Sequence, residues 1–205
     1  MTGVYKADLV AAYNRHAEER DQAGTAEWKV REREHFLKTL RKNDTRTLLE
    51  VGSGPGRDGL FFASAGLEVV CTDQSPEMVR ICREKGLQAE VRSFDDLGFP
   101  DQSFDAVYAL NCLLHVPKAE LPAALKEIRR VMKPDGLFYM GVYGGRDSEG
   151  VWEQDFYEPK RFFAMYTDEN LLKAVSSLFR IVYFDTVSQG EDNPHFQSLI
   201  LQPRQ

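Results

Sequence analysis

The sequence predicts an α/β fold: a mostly parallel, seven-stranded sheet that ends in an antiparallel C-terminal hairpin, with helices packed on it. Three observations predict it. From residue 47 onward, short apolar strands alternate with helix-length amphipathic segments, which calls for crossover connections and a parallel sheet. Those strands are almost bare of charge, as strands covered on both faces must be. The last two strands have no helix between them, so they pair as a hairpin.

The elements follow in order. Residues 4–42 are charge-rich, with apolar positions at helical spacing at Leu9, Ala12, Tyr13 and Ala17, then at Trp28, Phe36, Leu37 and Leu40. This predicts two helices broken near Gly24-Thr25. A buried strand at 47–51 runs into a glycine loop, and a helix at 58–65 closes at Gly66. The second strand, 68–72, ends at Asp73, and Ser75-Pro76-Glu77 opens the next helix, since proline suits the first turn after a serine cap. A short strand at 88–91 and an apolar one at 104–110 follow. Leu121, Leu125, Ile128 and Met132 form one stripe of a helix over 118–132, which Lys133-Pro134-Asp135-Gly136 stops. The fifth strand is 137–143 and the last helix 168–178. Strands at 180–187 and 196–201 flank a polar loop with Gly190, Asn193 and Pro194.

Composition bounds the function. Among 205 residues, 26 Lys plus Arg face 32 Asp plus Glu, a net charge of −6. With 42% apolar and 28% charged residues, disorder and collagen-like structure are excluded. One domain of this length buries roughly 70% of its unfolded surface and needs no staple. The acidic balance argues against a general nucleic-acid binder. The basic stretch Lys29, Arg31, Arg33, Lys38, Arg41, Lys42 and Arg46 is the one feature that suggests RNA, and on a helix it also reads as a solvated face. Cys71, Cys82 and Cys112 form no CxxC pair, and His16, His35 and His195 show no ligand spacing, so no metal site is expected. The first ten residues carry no basic-then-apolar leader, and no run nears 18 apolar residues. A cytoplasmic chain with reduced thiols and no membrane contact is the expectation.

The loop Glu50-Val51-Gly52-Ser53-Gly54-Pro55-Gly56-Arg57-Asp58-Gly59 is the first candidate site. Glycines let the chain turn sharply and let a ligand approach the backbone. The helix that follows offers unpaired N–H groups and partial positive charge to a carboxylate or phosphate. Gly54, Gly56 and Gly59 spell G-x-G-x-x-G, with Asp73 lying 19 residues after Gly54, close to a dinucleotide fingerprint. Gly52, Gly54 and Gly56 equally spell G-x-G-x-G directly after the strand. Asp73 can accept two hydrogen bonds from a ribose diol. That serves a nicotinamide or an S-adenosylmethionine cofactor alike, so an oxidoreductase stays open at this point.

Five segments in sequence order then resemble the class I S-adenosylmethionine-dependent methyltransferases. They are Leu49 to Gly56; Asp73 after the second strand; Phe99-Pro100-Asp101-Gln102-Ser103-Phe104-Asp105; Leu113-Leu114-His115; and Arg130-Val131-Met132-Lys133-Pro134-Asp135-Gly136. The resemblance covers the chain from about Tyr13 onward. It implies a Rossmann-like three-layer sandwich whose antiparallel last strand lies beside the fifth, a hairpin foreign to nicotinamide dehydrogenases. It implies S-adenosylmethionine as cofactor, S-adenosylhomocysteine as product and no metal. It also implies roles. The backbone of Gly52, Ser53, Gly54 and Gly56 would hold the methionine moiety, with Glu50 fixing that loop or meeting the amino group. Asp73 would bind the ribose hydroxyls, and Gln74 and Met78 would lie along the adenine. Ser93 and Phe94 fall at the adenine edge, where Ser93 replaces the usual Asp and Asp95 or Asp96 would substitute. Asn111 would face the amino group and the reacting methyl. Asn111-Cys112-Leu113-Leu114 is not the Asn-Pro-Pro-Tyr type of enzymes that methylate amide or nucleobase nitrogen, which argues against such targets.

Methyl transfer from a sulfonium is an in-line displacement, so alignment and desolvation carry much of it. A base is needed only where the acceptor must lose a proton early. His115 is the candidate base and Tyr143 a candidate acid/base, each with packing as the bland alternative. Residues 144–167 hold Trp152, Phe156, Tyr157, Arg161, Phe162, Phe163 and Tyr166 and are long for a connection. With the N-terminal helices they would close an aromatic pocket over a small-molecule acceptor, or receive a cationic amine. Tyr13, His115, Tyr143, Arg161 and Tyr166 are its candidate residues. The expected layout is one domain: a helical cover at 1–44, a cofactor core at 45–143, a substrate lid at 144–167, and a helix with hairpin at 168–205. A monomer or homodimer is expected, and a non-catalytic module that kept the cofactor pocket is the alternative to an enzyme.

Overall fold

The computed structural model describes residues 2–190 and 194–204, with side chains from residue 5. Asn193, read above as part of the last loop, lies outside the described residues. Three N-terminal helices, α1 (Thr2–Arg15), α2 (Ala17–Gln22) and α3 (Glu27–Arg41), precede the sheet. Then come β1 (Thr47–Val51), α4 (Arg57–Ser64), β2 (Glu68–Asp73), α5 (Pro76–Glu84), β3 (Gln88–Val91) and β4 (Phe104–Leu110). A single 3₁₀ turn at Leu113–His115 leads to α6 (Leu121–Val131) and β5 (Met132–Gly144). The chain ends with β6 (Ser148–Val151), β7 (Phe162–Met165), α7 (Asp168–Ser176), β8 (Phe179–Val187) and β9 (His195–Pro203).

Seven strands form one sheet in the order β3-β2-β1-β4-β5-β9-β8. The first five are parallel, β9 runs antiparallel to β5, and β8 antiparallel to β9. The last strand therefore lies beside the fifth, as the resemblance implies. The strand order reverses between β1 and β4, and in open α/β sheets the crevice beyond the carboxyl ends at that point is where ligands bind.

Alternation along the strands builds the two faces. Leu49, Val107, Phe138 and Leu199 pack against Leu125 and Ile128 of α6 and Leu171 and Val175 of α7. Their neighbours Leu48, Tyr108, Tyr139 and Ile200 face Phe36 and Leu40 of α3 and Phe62 of α4. The one polar group of α3 on this face, Glu32, accepts from the Tyr139 hydroxyl at 2.8 Å and from Ser198. That satisfies a carboxylate which would otherwise be costly to bury.

Three differences from the sequence expectation have physical causes. The N-terminal region contains three helices rather than two, because the chain also breaks at His16 (φ −103°, ψ 14°), where neither Gly nor Pro marks the site. β5 starts at Met132 rather than 137: Met132 pairs with Phe104, and the register then slips between Phe104 and Ala106, absorbing the Pro-Asp-Gly segment inside the strand. Residues 144–167 are not an irregular connection. They hold a second, two-stranded sheet in which Ser148 pairs with Met165 and Val151 with Phe162.

Candidate active site

The floor of the site is backbone. Gly52, Gly54 and Gly56 have φ of 67°, 53° and 79°, the left-handed region where a side chain is strained. A Cβ on Gly52 would stand 2.2 Å from Cys112 Cβ, so β1 and the end of β4 approach as closely as they do only through glycine. At Gly54 a Cβ would meet nothing within 4 Å and would project into open space. Gly56 caps α4 with its back to Leu87 and Cys82, so it shapes the turn and does not line the cavity. Gly59 lies within α4 and packs against Glu50 and Cys71, where a Cβ would come within 2.7 Å of both. The alternating glycines thus make the loop, and the fourth draws the helix onto the strand.

Acidic and amide groups ring that floor. Asp73, at the end of β2, accepts the Gly54 N–H and the Ser75 N–H, each at 2.9 Å, and burial raises its pKa. Glu50 is buried under the loop. Burial first, then the charge of Asp58, pushes its carboxyl well above the usual range, and the Cys71 thiol donates to it at 3.4 Å. Asp58 is held by Arg33 at 3.0 Å. Asn111 directly follows β4 with φ 55°, and its N–H donates to Gly141 O at 2.7 Å. Its side-chain Oδ1 is buried in the cavity wall without a hydrogen-bond partner. Its side chain is also hydrogen-bonded to Tyr143.

The main cavity, about 270 Å³, lies over this floor and is walled by Leu9, Val10 and Tyr13 of α1, with Gln74, Phe94 and His115. A neighbouring cavity of about 260 Å³ shares Leu9, Gln74, Phe94 and His115 and reaches Asp95 and Glu120. Asp95 is bonded to Ser93 and to Lys6 at 3.0 Å, and the Ser93 bond, ahead of Lys6, keeps its pKa low. Met78, expected along the adenine, packs with Ala17 of α2 and Ile81 and does not line the cavity.

A chain of side chains roofs the cavity. His115 is buried and faces the Phe162 carbonyl through Nδ1 at 2.7 Å. A carbonyl only accepts, so that contact assigns the proton to Nδ1 and leaves Nε2 to accept from the Tyr13 hydroxyl at 2.7 Å. Arg161 Nη1 donates to the Tyr13 oxygen at 3.2 Å. Arg161 itself is held by Asp155 through Nε and Nη2, each at 2.8 Å. Burial lowers the His115 pKa to about 3, and the nearby Arg161 and Arg20 charges add to the shift, so the ring is neutral. Burial raises that of Tyr13, against the opposing pull of Arg20 and Arg161.

Of the residues expected near the acceptor, Tyr13 and His115 line the cavity, whereas Tyr143, Arg161 and Tyr166 do not. Arg161 sits 3.8 Å from the Tyr157 ring centroid and 5.2 Å from that of Phe163, so these aromatic rings enclose this side chain. Tyr166 packs on the core beneath Lys118. The sequence reading missed Arg20, Lys29, Arg57 and Asp58 on the cavity wall. Lys29 and Arg33 belong to the basic stretch that read as a solvated face or an RNA contact. Here one enters the cavity and the other is spent on Asp58. Among the described residues no group of three or more His, Cys, Asp or Glu is placed to hold a metal, and no helix is long and apolar enough to cross a membrane.

Glycine cradle, acidic strand end and cavity lie together at the switch point of a Rossmann-like sheet. Residues 49–140 match the family described as methyltransferase domain. A sterol 24-C-methyltransferase of Gibberella zeae is 33% identical over 145 residues, covering 65% of this chain and 36% of the relative. A demethylmenaquinone methyltransferase of Tropheryma whipplei is 26% identical over 194 residues, covering 89% of this chain and 73% of the relative. The chain spans about a third of the length of the sterol methyltransferases it matches. Among solved structures, the 1,6-didemethyltoxoflavin-N1-methyltransferase of Burkholderia thailandensis, with bound 1,6-didemethyltoxoflavin and S-adenosylhomocysteine, superposes with a TM-score of 0.79 at 19% identity. That match covers 98% of this chain and 89% of the other. The match to the methyltransferase-domain family spans just under half of the chain, and over nearly its whole length the chain shares the fold of the toxoflavin methyltransferase.

Proposed function

We propose that the chain transfers the methyl group of S-adenosylmethionine to a nucleophilic atom of a small molecule. One observation carries this reading: the floor has an open cradle at Gly54 beside a buried, unpartnered acceptor, Asn111 Oδ1. A buried polar atom without a partner costs free energy that a donor supplied by a ligand recovers. An ammonium group is such a donor, and the cradle admits the main chain of an amino-acid moiety. The cofactor supplies an electrophilic methyl on a positively charged sulfur.

The chain's own residues do the rest. Asp73 accepts ribose hydroxyls with the lone pairs that Gly54 and Ser75 leave free. Phe94 and Gln74 face the adenine, and Asp95 stands near its edge in place of the expected acid at Ser93. Tyr143 is a positioning residue that holds Asn111. His115 keeps its imidazole neutral and orients the Tyr13 hydroxyl, which is the polar group presented to the acceptor. The small-molecule methyl acceptors named for the toxoflavin and menaquinone enzymes support an acceptor of that size here.

Calorimetry with S-adenosylmethionine and S-adenosylhomocysteine tests the reading. Both are expected to bind, and Asp73→Asn is expected to weaken binding about tenfold or more, the worth of a charged hydrogen bond, roughly 1.5–3 kcal/mol. Failure of the wild-type chain to bind either compound at high micromolar concentration overturns it.

A further inference from the structure

Three cations on the wall of the main cavity have no salt-bridge partner among the described residues. They are Arg20 of α2, Lys29 of α3 and Arg57 at the start of α4. Arg57 spends its guanidinium on the neutral carbonyls of Asp21 at 3.0 Å and Gly24 at 3.2 Å, and on that of Arg20. Arg20 donates to the Tyr157 hydroxyl at 3.2 Å, and its Nε is buried without a partner. The Lys29 ammonium makes no hydrogen bond and lies over the Trp28 ring, 5.4 Å from its centroid. Burial, reinforced by the Arg20 and Arg57 charges, lowers its pKa against the opposing pull of Asp58.

The cavity's acids do not balance these charges. Asp58 is spent on Arg33 at 3.0 Å. Glu50 is pushed toward its neutral form. Asp73, on which the Arg20 charge acts, is one carboxylate against three cations, and it already accepts two N–H groups. A methyl-donor cofactor deepens the imbalance, because its ammonium and sulfonium exceed its single carboxylate. Like charges gathered in a partly desolvated wall repel, and an anion placed among them removes that cost. His115 is a poor base for the acceptor: burial makes its imidazole hard to protonate, and its free nitrogen is taken up by Tyr13.

We infer that Arg20, Lys29 and Arg57 form the anion-binding side of this cavity, and that the methyl acceptor is an acid, a small molecule carrying a carboxylate or another anionic oxygen group. This rests on the cofactor reading above. The N-terminal helices then select the acceptor by charge, while β1 and β4 handle the cofactor. Where the ionised oxygen is itself the accepting atom, no proton has to leave before the methyl moves.

A carboxylate at these cations has two sources, the cofactor's own methionine end and the acceptor, and the test separates them. Wild-type protein and the double variant Arg20→Gln with Lys29→Gln are titrated calorimetrically with S-adenosylhomocysteine and with 5′-methylthioadenosine, which lacks the amino-acid end. Each protein, saturated with S-adenosylhomocysteine, is then heated with benzoate against benzamide and acetate against acetamide at matched ionic strength. The expected result is that wild-type Tm rises more with each carboxylate than with its amide, since a ligand stabilises the state it binds. In the double variant that difference vanishes, and S-adenosylhomocysteine affinity stays within about threefold of wild type. Lys29→Gln alone, which removes a side chain without hydrogen bonds, serves if the double variant is unstable. A loss of about tenfold or more for S-adenosylhomocysteine, with methylthioadenosine unaffected, assigns the cations to the cofactor and overturns the inference. Equal shifts for acid and amide in the wild type also overturn it. Absence of S-adenosylhomocysteine binding by the wild type removes the cofactor reading itself, and this inference with it.

Discussion

Gly52, Gly54 and Gly56 shape the floor of the cavity within one short loop, whereas Tyr13 meets His115 and Arg161 over it across 102 and 148 residues of chain. The floor is backbone: its geometry follows from three residues without Cβ atoms after a buried strand. The roof is side chain: each member comes from a different element, and none has its place until α1, the turn after β4 and the β6–β7 sheet have packed. A local device leaves a mark in the sequence because spacing alone creates it. A device made of distant partners does not: Tyr13, His115 and Arg161 could each be named as a candidate, but nothing in the spacing pairs them.

The two regions are expected to fail differently. Arg161→Ala should have the largest effect on stability. The Asp155 side chain has no exposed surface, and a buried carboxylate stripped of its cation costs about 3–5 kcal/mol. Urea unfolding should show that loss, with S-adenosylhomocysteine affinity kept in the folded fraction. An unchanged midpoint would mean the roof contributes no buried ion pair. Gly52→Ala strikes the floor instead. The new Cβ meets Cys112 at 2.2 Å and φ is 67°, adding about 1–3 kcal/mol of backbone strain to similar overpacking. Cofactor binding should fall beyond calorimetric detection, and near-normal affinity would mean the loop tolerates a side chain.

Acid should loosen the roof through His115. Its pKa drops from 6.5 to about 3 on folding. Between those values the unfolded chain binds a proton that the folded chain does not. Stability therefore rises with pH across that window and is lost as pH falls from about 6.5 toward 3. The slope contributed by this residue approaches 1.4 kcal/mol per pH unit. His115→Gln should flatten the pH dependence of unfolding over that range, and identical curves for the two proteins would sink the assignment. The smallest effect is expected for Tyr13→Phe. It removes one hydroxyl and leaves His115 Nε2 and one Arg161 N–H unmatched, a cost of about 1 kcal/mol. A loss several times larger would show that the three groups act as one unit.

Much of the fold was legible because it depends on local pattern. β1, β3 and β4 occupy the residues that apolar runs between turn signals mark, and Ser75 caps α5 through the Met78 N–H as its Ser-Pro-Glu start implies. The break at His16 and the β6–β7 pairing were not legible. The first is a packing accommodation in a polar segment, and the second is a cross-strand register between residues 148–151 and 162–165. The site divides in the same way. Gly52, Gly54, Asp73 and Asn111 line the cavity, at or just past the carboxyl ends of β1, β2 and β4 where the topology delivers them. Met78 and Tyr166 do not: Met78 lies on the face of α5 that packs against α2, and Tyr166, just past β7, packs on the core.

By itself the sequence determined the sheet, its terminal hairpin and the glycine cradle, since hydrophobic period, turn chemistry and the absence of Cβ atoms act over a few residues. The tertiary structure alone decided which of the seven basic residues in 29–46 enter the cavity, that Arg161 fills the aromatic enclosure, and that His115 is neutral. Those outcomes depend on burial and on charges brought together from distant segments, which exist only once the chain has folded.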